Sequence, residues 1–354
     1  ALRLEEQGIE LLNPVFDLDF GQEAMASAML GLGKQLGIPK VRCLPALMAG
    51  AQAVRRHTAA VERQGQALLA SLKPEDKVLV LITRNYGLSD PVLNMGIPRM
   101  LLERGHKVIT LSHLPAHDLD LSADHPNLYW PFGQHILSGA KLAAHHPNLY
   151  AVYLTNHGCG PDTMLANLFR KEMGEKPYLH IEVDEHFSPV GVITRVEAFL
   201  QSLESRPPQP LPEGFRLTNV EHRSAKVVSA PGPGRGPLYL PDLPPFTPYL
   251  RNYVEQVWNT ETRPMPLGEP SLMLGRAETS AKEYLPFPAL LGGCLDAAKQ
   301  ELGPFQVLIP TTQGAEADGQ YPWAVEAVLA RRGLGRVTLV SPELETLPEH
   351  CPNP

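Results

Sequence analysis

The chain has 354 residues, 43% of them hydrophobic and 19% charged, with a formal net charge of −7, which is the make-up of a soluble globular protein long enough for two cores rather than one. The acidic balance leaves no basic face for nucleic acid, and no apolar run approaches the ~20 residues of a membrane span. Four cysteines with no CxxC pair exclude a disulfide framework and make a reducing cytoplasm the expected home.

No signal peptide is read ahead of the first helix. The chain opens at Ala1 rather than Met, as a piece of a longer polypeptide would. The 36 prolines concentrate in the middle and second half, where Arg206-Pro207-Pro208 and Pro231-Gly232-Pro233 must be loops, since proline fixes φ and lacks a donor.

Residues 22–36, rich in Ala, Met and Leu, predict a helix. Residues 44–72 predict a longer one, with Pro45 suited to its first turn. Leu47, Ala51, Val54 and Ala59 are roughly turn-spaced, so residues 1–75 are expected to form a helical segment that packs on a sheet. The period then changes. Residues 77–83 (KVLVLIT) are the continuous apolar run of a strand buried on both faces of a parallel sheet. A turn at Asn85-Tyr86-Gly87, a helix over 91–104 closed by Gly105 in the left-handed cap conformation, and a strand over 107–111 complete a βαβ unit. Strands over 150–155 and 178–183 alternate with helices over 162–173 and 190–203, the last presenting Val192, Val196, Phe199 and Leu203 on one face. Residues 76–204 therefore read as a doubly wound α/β lobe.

A proline-rich connector spans 205–224. Beyond it, strands over 225–229, 271–274, 305–309 and 336–340 alternate with helices over 248–258, 286–302 and 321–332, a second, smaller lobe over 225–354. The fold class is α/β: two Rossmann-like lobes with mostly parallel sheets and a helical N-terminal segment.

Ligands of open α/β sheets bind beyond the carboxyl ends of the strands. Asn156-His157-Gly158-Cys159-Gly160-Pro161-Asp162 leaves one such end and enters a helix. Gly158 and Gly160 permit a tight bend, and a thiolate at Cys159 would feel the positive helix start, which favours metal binding or nucleophilicity. A small buried cysteine in a plain turn is the other reading, and spacing does not separate the two. Asp184-Glu185-His186 ends the next strand and either faces solvent or lines a cleft, because ionisable groups are costly to bury unpaired. Arg195 lies off the apolar stripe of its helix, available to that acidic cluster or to an anion. Thr83-Arg84-Asn85-Tyr86 follows the first strand, where an arginine can clamp phosphate or carboxylate. Cys294 shares an apolar stripe with Leu290, Leu291, Leu295 and Ala298 and reads as core. Cys351 falls in the C-terminal tail, and Cys43, at the head of the long helix, suits an exposed thiol.

Taken in order, Asn156 to Asp162 (NHGCGPD), Lys176-Pro177-Tyr178-Leu179, Asp184-Glu185-His186, Gly191 and Thr194-Arg195-Val196-Glu197-Ala198-Phe199 form a series that resembles the large activase-related proteins of the 2-hydroxyacyl-CoA dehydratase system, in a CoA enzyme activase domain of uncharacterised function. Thr83-Arg84-Asn85-Tyr86, Pro91, Asn94-Met95-Gly96-Ile97-Pro98 and Gly105 look like the same family's first βαβ unit. The resemblance spans roughly residues 78–204.

It implies a double-lobed dehydratase-like fold and anaerobic metabolism, with loop cysteines between the lobes holding an iron–sulfur cluster fed by an ATP-driven activator. Carried over, Cys159 is the cluster thiolate, with Cys43 as a second metal candidate. Cys159, Asp184, Glu185, His186 and Arg195 are the catalytic candidates, and Arg84, Asn85, Tyr86 and His157 the cofactor-binding ones. Two stretches depart from the family pattern. Tyr284 stands where the family tends to show Lys-Glu-Cys, and residues 313–321 lack its Gly-Pro-Cys-Arg, so a cluster that wants three or four thiolates would have to be reduced or altered here. Neither a P-loop nor an Asp-Gly-Gly-Ser/Thr loop is evident, which leaves ATP to a partner activator domain or a dehydratase-type subunit. The resulting expectation is an electron-transfer or substrate-side module. A partner-binding scaffold and a metal-free enzyme using Cys159 with His157 or His186 as base are the alternatives.

Overall fold

The structure, a computed structural model, describes residues 8–15, 21–184, 186, 188–222, 227–280 and 282–343. It forms two compact units, Ala1–Leu68 and Leu69–Pro354. Glu185 and Cys351 lie outside the described residues.

The first unit is helical: α1 (Gly21–Gln35) is followed by α2 (Lys40–Ala70). Because α2 starts four residues earlier than the proline suggests, Cys43 falls inside its opening turns. The thiol is 7% exposed and sits against Gly33 of α1, where a Cβ would come within 2.2 Å of Sγ. The expected exposed thiol is therefore a buried one.

In the second unit, β1 (Val78–Ile82), β2 (Lys107–Thr110), β3 (Leu149–Asn156) and β4 (Leu179–Val183) form an all-parallel sheet in the order β2-β1-β3-β4. Every residue of β1 is buried, as its unbroken apolar run requires of a strand covered on both faces. One face packs on α4 (Ile97–Glu103) and α7 (Pro189–Glu204), through Leu79, Leu81, Ile181 and Val183 against Ile97, Leu101, Val196 and Phe199. The other face carries α5 (Pro131–His145) and α6 (Gly160–Met173), where Tyr153 of β3 stacks on Phe169 at 4.1 Å. The turn expected at residues 85–87 is a short helix, α3 (Asn85–Ser89). Gly105 takes the left-handed conformation anticipated for it, with φ 82°. Sequence patterning misses α5, ten of whose residues are buried, among them Gly133, His135, Ser138, Gly139 and Lys141, which carry no apolar signal of their burial.

The second lobe is also all-parallel. Its strands β5 (Val227–Val228), β6 (Leu238–Pro241), β7 (Thr262–Met265), β8 (Phe305–Leu308) and β9 (Val337–Val340) are ordered β5-β9-β8-β6-β7. Four helices complete it: α8 (Thr247–Trp258), α9 (Glu269–Arg276), α10 (Pro286–Gln300) and α11 (Tyr321–Arg331). One expectation fails here. Residues 271–274 are not a strand but part of α9: Ser271 and Gly275 are buried while Met273 between them is exposed, the pattern of a helix face, since a pleat would bury all three. The prolines obscure β6 and β7. Pro264 is tolerated because β7 is an edge strand, where a missing N–H breaks no inner ladder.

Among the described residues no helix is long and apolar enough to cross a membrane.

Candidate functional site

The carboxyl ends of β1 and β3 meet at Arg84 and the start of α6. The backbone leaves β3 at Asn156, turns through Gly158 with φ 65°, a left-handed value that a glycine adopts without strain, and begins α6 immediately after Cys159. Arg84 reaches this start. Its Nε donates to Asp162 Oδ1 at 2.9 Å and its Nη2 to Cys159 Sγ at 2.9 Å. Its guanidinium lies 4.2 Å from the centroid of the Phe132 ring, within the range of cation–π attraction. The second carboxylate oxygen of Asp162 accepts the Asn156 backbone N–H at 3.0 Å, so the buried acid is satisfied at both oxygens. Burial works against the Arg84 charge, yet Asp162 and then Cys159 outweigh it and hold the guanidinium above its usual pKa. Asn156 Nδ2 donates to the Tyr86 hydroxyl at 2.6 Å. Asn85 begins α3 and is exposed.

Three consecutive residues of the second lobe close on this region. Lys282 pairs with Glu182 of β4. The buried carboxylate of Glu283 accepts Asn167 Nδ2 of α6 at 3.1 Å, and also the backbone N–H groups of Ser280 and Lys282 at 3.1 Å each, which fixes the loop that carries Lys282. The Tyr284 ring lies on Gly160, where an added Cβ would stand 2.6 Å from the phenolic oxygen. Further along the seam, Trp130 Nε1 donates to the Ala315 carbonyl at 2.9 Å. Tyr321, pushed up to about 12 by burial and then by Asp318, Tyr284 and Glu316, marks those groups as its neighbours. Cys159, Tyr284 and residues 315–321 thus line one interlobe seam.

Beside the start of α6 is a cavity of about 200 Å³. From β3, β4 and α7 it receives Thr155, His180, Glu182 and Arg195; from the facing loop, Ser280 and Lys282. His180 Nε2 is 2.8 Å from Thr155 Oγ1. Its pKa is pushed down to about 4 by burial and then by Lys282, Arg195 and Arg170, so the ring is neutral at pH 7. Arg195 Nη2 donates to the His180 carbonyl at 2.5 Å. His157 is exposed, with Nδ1 3.3 Å from Glu182 Oε1, and among the described residues no imidazole hydrogen-bonds Cys159.

The sequence candidates therefore divide. Arg84, Tyr86 and Cys159 come together, and Arg195 joins the neighbouring cavity. Asp184 and His186 instead fold onto each other in a turn, the His186 N–H on Asp184 Oδ1 at 2.9 Å, with the imidazole 80% exposed. Cys43 belongs to the helical unit, Ala1–Leu68. Sequence reasoning misses Asp162, His180, Glu182 and Lys282. A period-2 signal was present: Leu179, Ile181 and Val183 enter the core, so His180 and Glu182 between them must face the other side.

The cluster that the resemblance implies wants three or four thiolates. The resemblance would make Cys159 one of them and put another where Tyr284 stands, while Cys294 is buried in α10 with Sγ 3.8 Å from Met265 Sδ. Among the described residues no group of three or more His, Cys, Asp or Glu side chains is placed to hold a metal ion. These residues do not fit a thiolate-held cluster.

Residues 1–114 match the family model described as the CoA enzyme activase uncharacterised domain, consistent with an activase-related protein and overlapping the first βαβ unit of the resemblance. No curated protein matches the chain. Among solved structures, a C2-type ketoreductase from a modular polyketide synthase is similar at 12% identity over 77% of this chain and 82% of that one, with a TM-score of 0.28.

Proposed function

We propose that the chain is a substrate-side component of an acyl-CoA dehydratase/activase-type system, with Cys159 as its working thiol and the electron chemistry lodged in a partner. The match of residues 1–114 to a CoA enzyme activase domain supports the system. One observation carries the role within it: the Arg84 guanidinium, oriented by Asp162, donates to Cys159 Sγ at 2.9 Å. A charge-assisted donor of this kind holds the sulfur in place at a strand's carboxyl end, where α/β sheets meet their ligands. The partner class is an ATPase activator domain or a dehydratase-type subunit.

The test is anaerobic purification, followed by iron and sulfide quantification and titration with a 2-hydroxyacyl-CoA thioester. Saturable thioester binding, weakened at least about tenfold by Arg84→Gln and free of stoichiometric iron, is the expected result. A chromophore with stoichiometric iron that is lost in Cys159→Ser transfers the role to electron transfer. Absence of thioester binding to the unmodified chain overturns the CoA reading.

Tyr284 at the family's cysteine position favours a second reading, a partner-binding scaffold. Under it, a purified complex with the partner would keep full activity in Cys159→Ser.

A further inference from the structure

The cavity beside the start of α6 has an uneven account of charge. Both carboxylates that face it already have cationic partners: Asp162 is held by Arg84 and the Asn156 N–H, and Glu182 pairs with Lys282, with His157 Nδ1 3.3 Å away. The cations are less fully engaged. Arg195 carries five N–H donors; one goes to the His180 carbonyl, and among the described residues no carboxylate pairs with it. Lys282 carries three donors, and its side chain has one charged partner, Glu182. Arg195 and Lys282 thus bring spare donors to the cavity, while Arg84, outside its lining, offsets Asp162.

We propose that this cavity is an oxyanion site, which takes a small carboxylate- or phosphate-bearing molecule between Arg195 and Lys282. The volume of about 200 Å³ corresponds to roughly six or seven waters at ~30 Å³ each, which suits a ligand of a few carbons and its anionic group and excludes a whole CoA. Spare donors beside carboxylates that already pair with cations select an anion over a cation. His180 adds support, since Lys282, Arg195 and Arg170 help to keep it neutral, the sign of a positive field inside the cavity. Its place also fits: Glu182, next to last in β4, lies beside Thr155 at the exit from β3, where ligands of parallel sheets bind. The inference stands on the cavity alone and does not need the CoA reading, in which Arg195 and Lys282 have no part.

Calorimetric titration with lactate, malonate and inorganic phosphate tests it, with choline as the cationic control and Arg99→Gln, a surface change on α4, as the protein control. Saturable binding of at least one anion is expected. Both Arg195→Gln and Lys282→Gln should weaken it at least about tenfold while Arg99→Gln does not. Melting curves check that each variant is folded. Tighter binding of phosphate than of the carboxylates assigns a phosphoryl compound, and the reverse order a carboxylate. Nuclear magnetic resonance supplies a second readout: the His180 imidazole, titrating at about 4 without ligand, should move upward when the anion offsets the facing cations. No saturable binding, or binding that both cavity variants leave intact, overturns the proposal.

Discussion

The start of α6 and the α9–α10 pair each bring a cysteine close to glycines, and their surroundings make opposite use of it. At the start of α6 the chain has just left β3, so the sulfur of Cys159 meets a guanidinium, beside a cavity that Asn156 and Asp162 line. In the helix pair, Gly275 and Gly292 let two backbones approach so closely that a Cβ on either would fall 1.7 or 1.6 Å from a carbonyl oxygen of the other helix. Cys294, two residues on from Gly292 and turned instead to β7, is fully buried with Sγ 3.8 Å from Met265 Sδ, and burial pushes its thiol up to about 12. The same residue type is thus left for chemistry at a strand's end and consumed by packing within a helix layer. What separates them is what the sulfur meets, a guanidinium at the strand's end or a thioether inside the core.

Thiol chemistry tests this contrast most sharply. In the native protein Cys159 should alkylate at least about a thousandfold faster than Cys294, which reacts only through opening of its lobe. Mass spectrometry of timed iodoacetamide reactions resolves the two sites, and comparable rates would break the comparison. Next in size is Gly292→Ala. Its Cβ meets the Ser271 backbone, which cannot turn aside as a side chain can, so a loss of about 3 kcal/mol is expected in urea unfolding. Asp162→Ala follows, leaving a half-buried Arg84 without its carboxylate, for about 2–3 kcal/mol on the same measurement, below the range of fully buried pairs because Arg84 keeps 19% exposure. Gly160→Ala is the smallest. The added Cβ meets only the tip of Tyr284, a residue 52% exposed and free to swing, so the cost should stay below about 1 kcal/mol. A loss as large as that of Gly292→Ala would mean that Tyr284 is held as rigidly as a backbone.

Sequence reading reached different depths in these two regions for the same reason. The loop after β3, with its glycines, proline and lone cysteine, is local: Asn156 to Asp162 carry the turn, the helix start and the thiol within seven residues. Arg84 was legible as a strand-end cation, and Cys294 as core from its stripe. The helix pair was not legible, because the closeness of Gly275 to Pro288 and of Gly292 to Ser271 depends on two segments meeting, and residues 271–274 taken alone read as a strand.

By itself, then, the sequence determined the alternation of strands and helices in the first lobe, the two-faced burial of β1, the apolar stripe of α7 and the placing of Cys159 at a helix start. All of these follow from side-chain periodicity and from backbone limits at glycine and proline, which act within a few residues. Only the tertiary structure decided that Pro264 could lie in an edge strand, that α5 is buried on nearly every side, and that Lys282, Glu283 and Tyr284 cross the seam to Glu182, Asn167 and Gly160. Those outcomes depend on which distant surfaces meet. Pairing between segments about a hundred residues apart is set by the fit of whole lobes, and no local period records it.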